Sequence, residues 1–373
     1  MNRFLRLTRP VRSPVGIVVH PYAPPIGGQA FSRYLQGLRR MARGEYVPLV
    51  AHISVTDECG NSCSRCSNLG GNCPAPGKAS ITGLIGQLRT AGTVCVAFTG
   101  GEPALRADLP DLIAACGDDI AVTLFTSGQG CNAARARVLR NAGLKLAFVS
   151  LDHHRADVHD SVRGTGGSFR QAVDAIKAFR EANVYTAAQA VAGPELLRGD
   201  ELDRYIRFCA QIGANEVMLL EPVPVRGNCH VLREEDRQRL AGLHLLAARS
   251  PRLPKVNAMS LLESARCLGC QAGFSFLYVR ANGDVFPCDF APVVAGNAFT
   301  EGIPAVLEQL ARYFPRPTVT CLAFDMLHAG LTPSTVPVSL AEAGVFLRNR
   351  DTKQMPDGMS WLPPKKYGDP AVG

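Results

Sequence analysis

Several things are scarce in this 373-residue chain. Charged residues make up 19% of it, tryptophan occurs once, and no apolar run approaches the ~18 residues that a membrane span needs. No membrane segment is expected. The basic start, "MNRFLRLTRPVRSPVGIVV", offers only "VGIVV" as an apolar core, too short for a signal peptide and flanked by prolines. A cytoplasmic protein is the expectation. Lysines and arginines form no block, so the net charge of +8 reads as a solvated surface and no nucleic-acid partner is expected. What the chain does have is an ordinary globular hydrophobic share of 46%, and 13 cysteines. In a reducing cytosol an odd number of cysteines fits a disulfide framework poorly, and clustered thiols point to metal binding.

The organisation is regular in the middle. Residues 1–48 hold one amphipathic segment, "GQAFSRYLQGLRRMARG". From 49 onward short β-branched runs alternate with helical patterns: "VPLVAHISV" with "SITGLIGQLRTAG", "VCVAF" with "DLPDLIAACG", and so on through "NEVMLLEP" with "EEDRQRLAGLHLLAARS". Six such units in strict alternation predict a parallel sheet with crossover helices, as an α/β partial (β/α)6 TIM-like barrel. Glycines at 92, 143 and 213 stand where three of the helices should stop. After about 254 the pattern changes. "FLYVRANGDVFPC" reads as a β-hairpin with Asn282-Gly283 in its turn, followed by a helix, "IPAVLEQLARYF". The expected division is therefore an N-terminal extension (1–48), the barrel (49–254), a small hairpin-plus-helix module (255–330) and a loosely structured tail (331–373).

Two constellations carry chemistry. Cys59, Cys63 and Cys66 form C-x3-C-x2-C in the loop after the first strand. Thiolates at this spacing suit an iron–sulfur cluster, and zinc equally. Three ligands on a cubane leave one iron without a protein ligand, as a catalytic metal site requires. The second strand ends in "FTGGEP", Gly100-Gly101-Glu102-Pro103, where glycines allow backbone to approach a small zwitterion closely. Both motifs fall at the C-terminal ends of strands, where parallel barrels gather their active sites. The other constellation is Cys267, Cys270 and Cys288, with Cys321 beyond. A hairpin brings its two ends together, so Cys267, Cys270 and Cys288 should converge.

With both motifs in this order, residues 49–250 resemble the radical S-adenosylmethionine (radical SAM) enzymes. The resemblance implies a [4Fe–4S] cluster on Cys59, Cys63 and Cys66 whose unique iron chelates SAM. It implies that Gly100, Gly101, Glu102 and Pro103 line the methionine ammonium, that Ser150 and Asp152 face the ribose, and that Arg163 lies near the SAM carboxylate. Ser127 stands where the family has Asn at the end of the third strand, and "VAGPELL" would border the adenine. The segment from Cys267 on is similar to the twitch or SPASM auxiliary-cluster modules of the same enzymes. It implies one auxiliary [4Fe–4S] cluster on Cys267, Cys270 and Cys288, either closed by Cys321 as a fourth ligand or left with an open iron that could hold substrate.

By that resemblance the enzyme accepts an electron from an external donor of flavodoxin or ferredoxin type. SAM is cleaved to a 5′-deoxyadenosyl radical, and hydrogen is abstracted from a substrate. The substrate expected is a small metabolite such as an amino sugar or amino acid, or a peptide, with a peptide maturase forming crosslinks or epimers as the alternative. Cys131 and Cys229 follow the third and sixth strands as candidate hydrogen donors to a substrate radical. Cys73 is read as a spare, and Cys95, Cys116 and Cys209 as buried small hydrophobes. The rival from another class is a scaffold protein holding zinc, which explains the cysteines but not Gly100–Pro103.

Overall fold

The structure, a computed structural model, describes residues 8–68, 73–223, 230–331 and 337–350, with 354, 356–359 and 362 beyond them. A short hairpin opens it, β1 (Val11–Ser13) and β2 (Gly16–Val18), followed by a helix at Gln29–Ala42. Then come β3 (Val50–Ser54), β4 (Cys95–Thr99), β5 (Ala121–Thr126), β6 (Leu144–Ser150), β7 (Tyr185–Val191) and β8 (Glu216–Leu220). Each has a helix after it, and each pairs in parallel with the next. Strands covered on both faces need apolar residues at nearly every position, and β3 is buried throughout. The helix stops predicted at Gly92, Gly143 and Gly213 carry positive φ, which glycine adopts without strain.

The six predicted strands gain a parallel neighbour at each side. β9 (Lys255–Ala258) lies beside β8, and β10 (Phe276–Val279) beside β3. β9 begins at the residue where the sequence pattern changes, yet it continues the barrel sheet. β10 turns through Asn282-Gly283 into β11 (Asp284–Phe286), as predicted. β12 (Val293–Val294) pairs with β14 (Val338–Ser339), and β13 (Gly296–Asn297) adds to β11. The whole sheet therefore runs β13-β11-β10-β3-β4-β5-β6-β7-β8-β9, a partial barrel extended by the hairpin. No described helix is long and apolar enough to cross a membrane.

Alternation sorts the side chains. Ala51, Ile53, Val96, Phe98, Val122, Leu124, Ala147 and Val149 face the helices, whereas Leu146, Phe148, Tyr185, Ala187 and Met218 point into the barrel. The interior is completed from outside the sheet by Val18, Met259, Leu262 and Cys267. Val18 arrives with the N-terminal segment, which is fastened beside β9: Lys255 Nζ donates to Val19 O at 2.6 Å, and Arg9 Nη2 to Leu253 O at 2.8 Å. Cys95, Cys116 and Cys209 are buried in the core. In the described part of the tail a helix spans Gly344–Asn349, and Arg350 pairs with Asp325 at 2.8 Å.

Candidate active site

A cavity of about 400 Å³ opens at the C-terminal ends of β3–β8. Cys59, Cys63 and Cys66 line it together, from a loop whose backbone is docked on its surroundings. Ser62 N and Ser64 N donate to Arg163 O and Val162 O at 3.0 and 3.2 Å, and Gly60 N donates to Gln129 Oε1 at 3.1 Å. The twelve described cysteines are all free thiols. Burial raises the pKa of Cys59 and Cys63, and Arg163, with Nη1 3.7 Å from Cys63 Sγ, works in the opposite sense on Cys63. Three converging free thiols with one position left open fit the donor set of a cluster that also binds a small chelating ligand.

Gly100 and Gly101 line the cavity, but their tightest neighbours are protein. A Cβ on Gly101 would stand 2.2 Å from Glu58 O, and one on Gly100, at φ +125°, would stand 2.3 Å from Thr56 O. Gly101 N and Glu102 N donate to Thr56 O and Glu58 O at 2.6 Å each. The glycines thus let the two loops share a backbone ladder just ahead of Cys59. Glu102 and Pro103 do not line the cavity, a correction to the reading that they face the SAM ammonium. The buried Glu102 carboxylate turns to β5 instead. Oε1 accepts from Ala104 N and Thr126 Oγ1, and Oε2 from Ser127 N and Ser127 Oγ, all at 2.6–3.0 Å.

Ser127, Ser150, Asp152 and Arg163 all line the cavity. Asp152, 2% exposed, accepts from Arg163 Nε at 2.7 Å, and its own N–H donates to His159 Nδ1 at 3.0 Å. Arg65, inside the cysteine motif and not singled out from sequence, reaches Glu195 at 2.6 Å in the "VAGPELL" loop. His52 on β3 is buried, lines the cavity, and pairs through Nδ1 with Asp289 at 3.1 Å. His153 and His154 gather around Glu201, at 3.2 and 3.6 Å. Arg155 N donates to His153 Nδ1 at 3.1 Å, which leaves the proton of a neutral ring on Nε2, the atom that faces Glu201.

Cys131 is a further correction. Its turn, closed by Cys131 N donating to Gly128 O at 3.1 Å, folds the thiol back into the helix-facing core beside Thr126, off the cavity. Burial pushes its pKa up to about 12. Cys229 lies outside the described residues. Cys73 donates its backbone N–H to Asp57 at 3.2 Å and does not line the cavity.

In the second constellation Cys270 and Cys321 are neighbours that shift each other's pKa, lowering that of Cys270 and raising that of Cys321, and Cys288 adds to the rise at Cys321. Cys270 is held by reciprocal backbone bonds with Thr318, at 2.8 and 3.2 Å. Cys267 is not brought to them, contrary to expectation. The 264–269 turn, closed by Leu268 N on Leu262 O at 2.9 Å, leaves its thiol 1% exposed among Val18, Met259 and Leu262. Asp289 and Phe290, directly after Cys288, enter the same cavity as Cys59, Cys63 and Cys66.

Two family profiles match the chain in the order of these two sites. The radical SAM superfamily matches residues 53–209, and an iron–sulfur cluster-binding domain, SPASM, matches residues 270–318. The chain belongs to the radical SAM superfamily. It is an enzyme with a C-terminal SPASM module, and SAM and [4Fe–4S] clusters are its cofactors. The AdoMet-dependent heme synthase of Oleidesulfovibrio alaskensis is 25% identical, over 70% of this chain and 74% of that one. The sporulation killing factor maturation protein SkfB of Bacillus subtilis is 24% identical, over 71% and 67%. The fold resembles that of SuiB from Streptococcus suis bound to its precursor peptide SuiA, at a TM-score of 0.58 and 16% identity, over 74% and 69%.

Proposed function

We propose that this radical SAM enzyme oxidises a side chain presented on a peptide. One observation carries the reading: the loop of Cys59, Cys63 and Cys66 and the residues after Cys288 open on a single cavity. A substrate held there would be within reach of both cofactor sites. When bound, SAM and the clusters supply cleavage of the C5′–S bond, hydrogen-atom abstraction, and a one-electron acceptor for the substrate radical.

The chain's own residues do the holding. In this reading Cys59, Cys63 and Cys66 ligate the first cluster, and Gly100 and Gly101 fix their loop. Ser127, Ser150 and Asp152 position SAM, with Arg163 pinned between Asp152 and Cys63. Cys270, Cys288 and Cys321 ligate the auxiliary cluster. Tyr22, Phe125 and Phe290 supply aromatic rings to the lining, which would help to exclude water from the reacting centre. A flavodoxin- or ferredoxin-type donor supplies the electron.

A peptide is favoured over a polycarboxylate because Arg65 and Arg163, the cations of the described lining, are already paired. The similarity to heme synthases supports a tetrapyrrole as the second reading. Anaerobically reconstituted protein with dithionite should convert SAM to 5′-deoxyadenosine. The triple variant Cys59→Ala/Cys63→Ala/Cys66→Ala should not. Turnover that persists in the triple variant, or zinc in place of iron, rejects the assignment.

A further inference from the structure

The SPASM profile matches residues 270–318, so Cys321 and the chain after it lie beyond the matched stretch. Hydrogen bonds tie that later chain to the auxiliary site. Cys321 stands directly before the helix Leu322–His328, and its carbonyl accepts from Asp325 N at 3.0 Å. Three residues earlier, Thr318 exchanges both backbone hydrogen bonds with Cys270, at 2.8 and 3.2 Å. Segment 318–321 therefore decides how Cys321 is presented to Cys270.

One side chain from the tail holds that segment. Arg350, 7% exposed, donates from Nη2 to Thr318 Oγ1 at 2.9 Å and to Thr320 O at 3.2 Å, and from Nε to Asp325 Oδ2 at 2.9 Å. The acceptors are linked among themselves: Thr318 Oγ1 donates to Thr320 O, and Thr320 Oγ1 to Asp325 Oδ2, both at 2.8 Å. A planar guanidinium fork can bridge three such acceptors in fixed geometry, whereas an ammonium is a single point charge on a flexible stem. Further along, the tail also covers the turn that leads to Cys270. Asp357 N donates to Ala265 O at 2.8 Å, and a Cβ on Gly269 would run into Pro356.

Arginine is seldom buried this deeply unless it is paired, and here the pairing places a cation two hydrogen bonds from the Cys270 backbone. A thiolate-held cluster gains negative charge on reduction, so a fixed cation nearby favours the reduced form. We infer that Arg350 is a positioning residue of the auxiliary cluster: it clamps segment 318–321 against Cys270 and fixes a positive charge beside the thiolate ligands. The inference rests on the reading that Cys270, Cys288 and Cys321 hold an iron–sulfur cluster.

The test reads the cluster itself and needs no substrate. The Cys59→Ala/Cys63→Ala/Cys66→Ala background leaves only the auxiliary cluster, with about four irons per chain after reconstitution. In that background Arg350→Met should release iron to a chelator several-fold faster, and its remaining cluster should be reduced at a more negative potential. Arg350→Lys keeps the charge without the three-way bridge, so it should lose iron faster at a potential near the parent's. Asp325→Asn leaves an acceptor for Thr320 and Arg350 but removes the counter-charge, and its potential should rise. A merely structural role would move the Arg350→Met and Asp325→Asn potentials the same way, and that result overturns the assignment. So does an Arg350→Met protein with the parent's iron release and potential. If Arg350→Met takes up no iron, the other two variants decide: an Asp325→Asn potential at or below the parent's, or an Arg350→Lys potential well below it, overturns the assignment. A parent that takes up zinc and no iron overturns the underlying reading, and the role of Arg350 with it.

Discussion

Both oxygens of Glu102 accept from the turn that ends β5, through Thr126 and Ser127, and Oε1 also accepts from Ala104 N in its own loop, so two donors are backbone N–H groups and two are hydroxyls. Glu102→Gln puts an amide NH2 where an acceptor is required. At least one buried donor is then left facing another donor, at about 1–3 kcal/mol. The variant should show a lower urea midpoint and weaker SAM binding, since Ser127 lines the cavity from that turn. Iron content should be unchanged, because no cysteine loop hangs on this carboxylate. An unchanged midpoint would refute the positioning role. The direction of Glu102 was not legible in "GGEP". A loop side chain points to whichever donors the neighbouring strand presents, and Thr126 and Ser127 are 24 and 25 residues away. Cys267 was misread for a similar reason, because spacing shows proximity in the chain but not which side of a turn each thiol takes.

At the scale of elements the sequence was far more legible. Six strand–helix units, their glycine stops and the Asn282-Gly283 hairpin are all local patterns, and each is where its pattern indicates. Hidden from that pattern were β9 and β10 as parallel neighbours of β8 and β3, since sheet order is not a local property. The first cysteine loop and the Gly100–Gly101 loop also show why two elements must be considered together. Gly101→Ala forces a Cβ against the carbonyl of Glu58, a backbone atom that cannot step aside cheaply. Loss of iron from the first cluster site is expected, measured as roughly halved total iron in reconstituted protein with the auxiliary cluster retained. Full iron content would show that the ladder to Thr56 and Glu58 is dispensable.

The helix Ala156–Arg163 holds Asp152 twice, through Arg163 and through His159, whose Nδ1 accepts from the Asp152 N–H. That bond needs a neutral ring. Burial lowers the pKa of His159 from 6.5 to about 4. Between those values the unfolded chain binds more protons, so the stabilisation is complete above about 6.5 and is lost as pH falls to about 4. The shift corresponds to something on the order of 3 kcal/mol. Urea midpoints should therefore fall from about pH 7 to about pH 4.5. His159→Asn, whose Oδ1 can still accept the bond, should show a shallower fall, and an equally steep one would discount His159.

For the molecule as a whole, the N-terminal segment packs Val18 into the barrel interior and is fastened beside β9. Three-residue strands such as β1 and β2 have no period to read, so this role left no signal in the sequence. Its anchor is a buried polar cluster under the barrel. Lys255 Nζ bonds Val19 O and lies 3.5 Å from Glu216, which also accepts from Tyr185 Oη at 2.7 Å and Asn257 Nδ2 at 2.6 Å. Burial lowers the pKa of Lys255, and Glu216 opposes this. Removing one member of a buried pair strands the other charge, at about 3–5 kcal/mol, whereas replacing both is often close to neutral. Lys255→Met should therefore lower stability sharply and render residues 8–22 protease-sensitive. Lys255→Met/Glu216→Gln should recover most of the stability, because the introduced amide oxygen can still accept from Tyr185 or Asn257 without a charge. The protease sensitivity should remain, since Val19 O has still lost its donor. If the double variant also recovers protection, the segment is held by Val18 and the apolar interior alone, and the lysine contributes only charge balance.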